Sequence, residues 1–475
     1  MAERGIPFTA QPLRRACALA LALLAPVLVA AQDPERELLP EQRHPQAFVA
    51  PTGLAPVGKR VVFSAFHAMS GQELWVTDGT AAGTRLLKDL HPGFRSSFPA
   101  WLTPFRGQVY FTATDGSRGL ELWRTDGTAG GTTLVADLRA GAADALPAEL
   151  TVAGDTLYFV ANDGGGFQLW RTDGAAAPVR ASSFGPGAVL RQLRPAGKRL
   201  FFTATTREHG HELWVTEGTP ETTRIVKDVR PGPTDSGIED LTAVGDRVYF
   251  AASDGRHGIE LWKSDGTEAG TRMVKDIRPG EGSARPAHFT AVGGTVFFAA
   301  EDGRHGIELW RTDGTEAGTR LVKDIHAGPG GSVSSPLAAL GGAVYFSATD
   351  GAMGAELWRS DGTAAGTRLV RDLAPGPTSG APARFAVVDG VLWFSATDGA
   401  SGGVEPWRSD GTAKGTRRVA DVAPGAANAV PLSFRALGGA VLFVADDGRG
   451  NERLWHATPA GSLTLLGAPL QQRLR

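Results

Sequence analysis

The chain has 475 residues, of which 63 are Gly and 30 Pro, with 42% hydrophobic and 21% charged side chains. That apolar share can build a packed core, which excludes wholesale disorder and collagen-like structure. A net charge of −2 excludes a nucleic-acid or anionic-membrane partner held by bulk electrostatics.

Residues 1–31 read as a secretory signal. Arg14 and Arg15 form a basic region, an Ala/Leu-rich run extends from Ala16 to Val29, and Val29-Ala30-Ala31 supplies a small-residue cleavage site. The apolar run is too short to span a bilayer comfortably, so no membrane span is expected after cleavage. Cleavage leaves 45 basic and 49 acidic side chains, a net charge of −4, and removes Cys17, the only cysteine. Disulfides and cysteine-ligated metals are then impossible in the mature chain. The expected destination is the periplasm, the cell surface or the medium. Residues 32–50, charged and Pro-containing, read as a flexible lead-in.

From there the tryptophans set a metre. Trp75, Trp123, Trp170, Trp214, Trp262, Trp310, Trp358, Trp407 and Trp455 recur at intervals of 44 to 49 residues, mostly 48, and account for nine of the eleven in the chain. The unit from Leu241 to Gly280 shows the content of one repeat. Four β-favouring runs, Leu241 to Val244, Arg247 to Ser253, Ile259 to Ser264 and Thr271 to Ile277, alternate with Gly/Asp turns and end at Pro279-Gly280. Four antiparallel strands joined by tight hairpins in every unit specify radial blades rather than a solenoid. The expected fold is all-β: one β-propeller at 51–470, built from nine repeats of about 48 residues, followed by a tail at 471–475. The third unit is degenerate, with Gln168 for Glu, Ala175 for Thr and a shortened loop, so an eight-bladed ring with one irregular unit is the alternative.

Within the hairpin of the third and fourth strands, Thr312 is expected to face Thr319, Trp310 to face Leu321, and Glu308 to face Lys323 as a cross-strand ion pair. Aspartate-glycine pairs such as Asp254-Gly255 and Asp265-Gly266 read as turn chemistry rather than calcium sites.

Glu-Leu-Trp-x-x-Asp-Gly-Thr stands whole at Glu73 to Thr80, Glu121 to Thr128, Glu260 to Thr267, Glu308 to Thr315 and Glu356 to Thr363. This string resembles the ELWxxDGT repeat family of bacterial exported proteins, over nearly all of the mature chain. Departures are Glu217 for Asp in the fourth unit, Pro406 for Leu in the eighth, and loss of most of the string in the ninth. The resemblance implies repeat architecture and export and supplies no activity. The loop before the Trp, as in Ala113, Asp115, Gly119 and Trp123, or Ala300, Asp302, Gly306 and Trp310, is similar in spacing to the tryptophan-docking motif of quinoprotein propellers. That resemblance implies one indole stacked between neighbouring blades per repeat, a structural docking role for all nine periodic tryptophans.

No nucleophile elbow is marked, since the Gly-x-Ser-x-Gly string at Gly399 to Gly403 lies in a glycine-rich turn between two β-favouring runs rather than between a strand and a helix, and no Gly-x-x-x-x-Gly-Lys-Ser/Thr loop occurs. No quinone pocket is marked, and no catalytic residue and no cofactor is expected. The one metal candidate is a patch of His209, His211, His257 and His305, all in loops between the second and third strands of units four to six. Those loops share a face with the connections between units, whose sequences vary most, as in FRSSFPA after Gly93 and EGSARPA after Gly280. Variable loops on a rigid frame are where recognition sits. The expectation is thus a monomeric, non-enzymatic binding or scaffold propeller recognising a protein, glycan or surface polymer through that face. The alternative is a periplasmic quinone- or metal-dependent enzyme with its site at the channel mouth. Trp101 follows one variable connection and is expected exposed or at the start of an inner strand; Trp393 is expected in the core.

Overall fold

The computed structural model describes residues 48–399, 402–459 and 461–467. The signal at 1–31, Cys17, most of the lead-in and the tail lie outside the described residues. Nine four-stranded antiparallel sheets follow one another along the chain, each built from consecutive strands in the order first, second, third, fourth, here called a to d. Blade 5 is representative, with Glu239–Val244, Arg247–Ala252, Glu260–Ser264 and Arg272–Lys275 as its four strands. The a strands touch their neighbours all the way round, and that of blade 1, Val49–Val57, touches that of blade 9, Leu432–Leu437. This is a closed ring of nine blades, a β-propeller with the a strands innermost; the eight-bladed alternative is excluded. The degenerate third unit is a complete blade, although its outer strand is only Val179–Arg180.

Strand b runs apolar without alternation, as in Val248-Tyr249-Phe250-Ala251-Ala252, because both faces of a blade are covered by neighbours. The nine seams are built alike. Trp262 packs with Leu213 and Val215 of blade 4, and Trp310 with Tyr249, Leu261 and Ile277 of blade 5. Each periodic Trp lies in a cluster shared with the preceding blade: Trp75 with blade 9, Trp123 with blade 1, Trp170 with blade 2, Trp214 with blade 3, Trp358 with blade 6, Trp407 with blade 7 and Trp455 with blade 8. Trp393 is buried beside Phe434, and Trp101 lies exposed on the a strand Ala100–Phe105.

The c–d turn is fixed by its own side chains. Thr312 Oγ1 and Thr319 Oγ1 lie 2.7 Å apart, and Trp310 pairs with Leu321. Asp265 Oδ1 accepts from Thr267 N and Thr267 Oγ1, a hydroxyl bond that leads in holding its carboxyl below the usual range. Gly266 has φ +86°, and a Cβ on Gly270 would sit 2.0 Å from Asp265 Oδ1, so both glycines are required. Antiparallel order places these turns on one face of the ring, and the b–c turns with the d–a connections on the other.

Candidate functional site

The connection-bearing face is built on a buried carboxylate in seven blades: Glu73, Glu121, Glu212, Glu260, Glu308, Glu356 and Glu405 are all fully buried. Each grips the connection that leads into the next blade. Glu260 Oε2 accepts from Ile277 N at 2.7 Å and its Oε1 from Ala284 N at 3.0 Å. Glu308 accepts from Ile325 N, His326 N and Ser332 Oγ. Burial pushes the Glu260 carboxyl up to about 7 against the pull of these donors.

The expected Glu308–Lys323 ion pair is therefore absent. A bulge between the Leu309 and Trp310 pairings advances strand d by one residue, so Lys323 faces Leu309. The ammonium instead donates to Thr367 O of the next blade at 3.1 Å and lies 5.8 Å from the centre of the Trp358 ring.

Blade 3 breaks the pattern, and a cavity opens there. The interval from Trp170 to Trp214 is 44 residues, and the short connection through Ser183, Phe184, Gly185 and Pro186 leaves space over Trp214. The cavity measures about 350 Å³ and is completed by Arg207, Glu208 and His209 of the blade 4 b–c turn. Trp214 is half-buried, whereas Trp262, Trp310 and Trp358 are each buried. Phe184 meets Trp214 edge to face, with ring centres 4.8 Å apart.

His209 is held by Asp228. Its Nδ1 lies 3.1 Å from Asp228 Oδ2, an oxygen that also accepts from Gly232 N at 3.2 Å. The other ring nitrogen lies 3.8 Å from Glu208 Oε1. A local substitution explains this geometry. In blades 5 and 6 the b–c turn carries Asp254 and Asp302, which capture His257 and His305 at 2.9 and 2.8 Å. Thr206 occupies that place in blade 4, leaving His209 free to reach Asp228.

The four histidines singled out in the sequence do not form a metal site. Three of them engage separate aspartates, and the His211 backbone N–H donates to Asp235. Among the described residues no three His, Cys, Asp or Glu side chains gather closely enough to hold a metal ion.

At the channel mouth, one position near the start of the a strand is left-handed in eight of nine blades: Ala50, Trp101, Glu149, Gln192, Asp240, His288, Arg384 and Ser433, with φ between +50° and +62°. Pro336 takes that place in blade 7. None is glycine, although glycine is the residue at which this conformation costs least. Gln192 is tied across the seam, donating to Ile238 O and accepting from Leu241 N, and Asp240 Oδ2 accepts from His288 N at 2.9 Å. Nothing in the amino-acid pattern marked this ring or the cavity.

The fold and these loops define a β-propeller with a cavity on its connection-bearing face. No protein-family model matches the chain, and no curated protein matches it in sequence. Solved structures similar to it include prolyl endopeptidases, at 14% identity and TM-score 0.41 over 78% of this chain and 55% of theirs. A puromycin-hydrolyzing peptidase of Mycobacterium tuberculosis matches at 15% and 0.37 over 77% and 60%. The β-propeller domain of the Trilobed protease from Pyrococcus furiosus matches at 13% and 0.35 over 68% and 98%. The chain thus spans little more than half the length of the first two. These neighbours are named as peptidases or their domains, whereas the sequence alone led to the expectation of a non-enzymatic binding or scaffold propeller. The likeness itself is one of propeller fold, and the functional argument rests on this chain's own residues. Among the described residues no helix is long and apolar enough to cross a membrane.

Proposed function

We propose that the chain is a hydrolase of acyl bonds, ester or amide, working at the cavity between blades 3 and 4. The observation that carries this reading is the His209 Nδ1 to Asp228 Oδ2 contact of 3.1 Å at the wall of a cavity of about 350 Å³. An imidazole whose one nitrogen is fixed by a carboxylate can take a proton at the other. In this reading His209 removes a proton from water as the oxygen attacks the acyl carbon. The tetrahedral intermediate collapses, and His209 returns the proton to the departing alkoxide or amine. Asp228, itself fixed by Gly232 N, orients the ring and stabilises the imidazolium. The residues of the leader, Arg14 to Ala31, support export as part of the same proposal.

The test is release of 4-nitrophenol from simple nitrophenyl esters by the purified chain. A rate above buffer that falls at least a hundredfold in both His209→Ala and Asp228→Asn is expected. Equal rates in all three proteins overturn the reading.

A further inference from the structure

In the third blade Gln168 stands where seven other blades carry the buried glutamate. The replacement changes what can be held. A carboxylate only accepts hydrogen bonds, and the seven glutamates accept from backbone N–H groups of the connection. A glutamine donates as well. Gln168 Nε2 donates to Phe184 O at 2.8 Å, and its Oε1 accepts from Phe184 N at 2.8 Å and from Ser182 Oγ at 3.0 Å. Both backbone groups of one residue are thus fixed by one buried side chain. That residue, Phe184, is the aromatic wall of the cavity. Its ring is held in turn by Trp214 at 4.8 Å and Phe202 at 6.2 Å, both nearly perpendicular. An ionised glutamate at this position would set its charge against the Phe184 carbonyl, with no proton to offer.

We propose that Gln168 and Phe184 form a specificity element for substrates whose acyl group carries a planar apolar ring, seated between Phe184, Pro186 and Trp214 beside His209. This rests on the hydrolytic reading for the word substrate; the ring-binding cavity itself does not. The chemistry fits the walls. Two aromatic rings and a proline line one side, and the polar groups Arg207, Glu208 and His209 gather on the blade 4 turn, so an apolar ring and a polar acyl group find separate surroundings. Gln168 is a positioning residue, acting through Phe184. The shortened third unit supplies the space and the glutamine fixes its wall, so two of that unit's departures from the repeat serve one cavity.

The test compares 4-nitrophenyl phenylacetate with 4-nitrophenyl acetate, alongside calorimetric titration of phenylacetate and acetate. The wild-type chain is expected to prefer the phenylacetyl ester at least tenfold in kcat/KM, within the range that one added apolar group supplies in a pocket. Phe184→Ala and Gln168→Glu should bring that preference near unity, chiefly through KM. In Gln168→Glu the preference should return at acid pH, where a protonated carboxyl again donates to Phe184 O. A purely structural role for Gln168 predicts loss of folded protein with no such pH recovery. Hydrolysis abolished by His209→Ala, with no acyl preference in the wild type, overturns the inference and leaves the hydrolytic reading standing. Phenylacetate binding that is lost in Phe184→Ala, without any hydrolysis, overturns the reading and keeps the ring-binding cavity. No preference and no binding overturns the inference outright.

Discussion

Arg453 Nη1 donates to the carbonyl oxygen of Phe48 at 2.7 Å, joining residues 405 apart in the chain. Arg453 occupies in blade 9 the place of the buried glutamate. At the other seams an acceptor is needed there, because a connection enters with its N–H groups forward. At the ninth seam no connection crosses, and the group presented is the Phe48 carbonyl, which calls for a donor. Phe48 is fully buried against Phe63 and Trp75, with ring centres 5.2 and 4.9 Å away, in a cluster that includes Leu437 and Leu454 of the last blade. Arg453→Ala should therefore cost about 1–3 kcal/mol by leaving that carbonyl unpaired, and Phe48→Ala about 3–5 kcal/mol. Amide exchange should accelerate in blades 1 and 9 before any other; a uniform acceleration round the ring counts against this role.

The interblade tryptophans are not equivalent. An indole removes about 150–250 Å² from water on burial, on the order of 4–6 kcal/mol gross. Trp310→Ala, at a seam with no opening, should lose about 3–5 kcal/mol. Trp214→Ala should lose less, since that indole already borders the cavity. Denaturant titration of the two variants checks the order, and equal losses contradict it.

The buried glutamates give stability a definite dependence on pH. Burial raises Glu73, Glu121, Glu212, Glu260 and Glu405 from 4.5 to about 7. The folded chain then holds protons that the unfolded chain has released. The stabilisation from these groups is complete below pH 4.5 and is lost as pH rises through about 7. Turn aspartates such as Asp265 and Asp313, lowered chiefly by their threonine hydroxyls, act oppositely and only below about pH 4, their ordinary value being 3.8. Thermal unfolding should therefore peak in mildly acidic buffer and fall between pH 5 and 8. Glu260→Gln should flatten that fall, with Gln168 as the precedent already in the chain. A steeper fall in the variant refutes the assignment.

The left-handed ring at the channel mouth carries a cost of about 1–2 kcal/mol per residue, part of which glycine's greater freedom when unfolded would offset. Glu149→Gly and Arg384→Gly should each stabilise by about 0.5–1 kcal/mol. Gln192→Gly should not, because it forfeits the bonds to Ile238 O and Leu241 N. Chemical denaturation of the three variants decides the point.

Much of the frame was legible from residues alone. The tryptophan metre gives nine blades, and the Asp-Gly-Thr strings give the turns, with Thr312 and Thr319 facing each other as expected. Glu308 and Lys323 were misread because a bulge of one residue after that turn leaves no mark in composition, yet it exchanges the faces of every side chain beyond it. Gln168 was visible as a departure, but reading it as decay missed that an amide can do what a carboxylate cannot. The cavity depends on where a shortened connection settles in space. The His209 contact depends on Thr206 failing to compete for it, and neither relation is written in spacing.

Among the described residues each blade is a single stretch of chain, with no strand lent across the closing seam. The described ends meet there as well, since a Cβ on Gly467 would fall 2.1 Å from Phe48 Cε1. The gene for such a ring can therefore be cut at any of its eight connections and rejoined between Gly467 and Phe48, where the described ends abut, giving circular permutants with an unchanged order of neighbours. It can likewise gain or lose whole units of about 48 codons in register, so the number of blades is open to change by recombination between repeats.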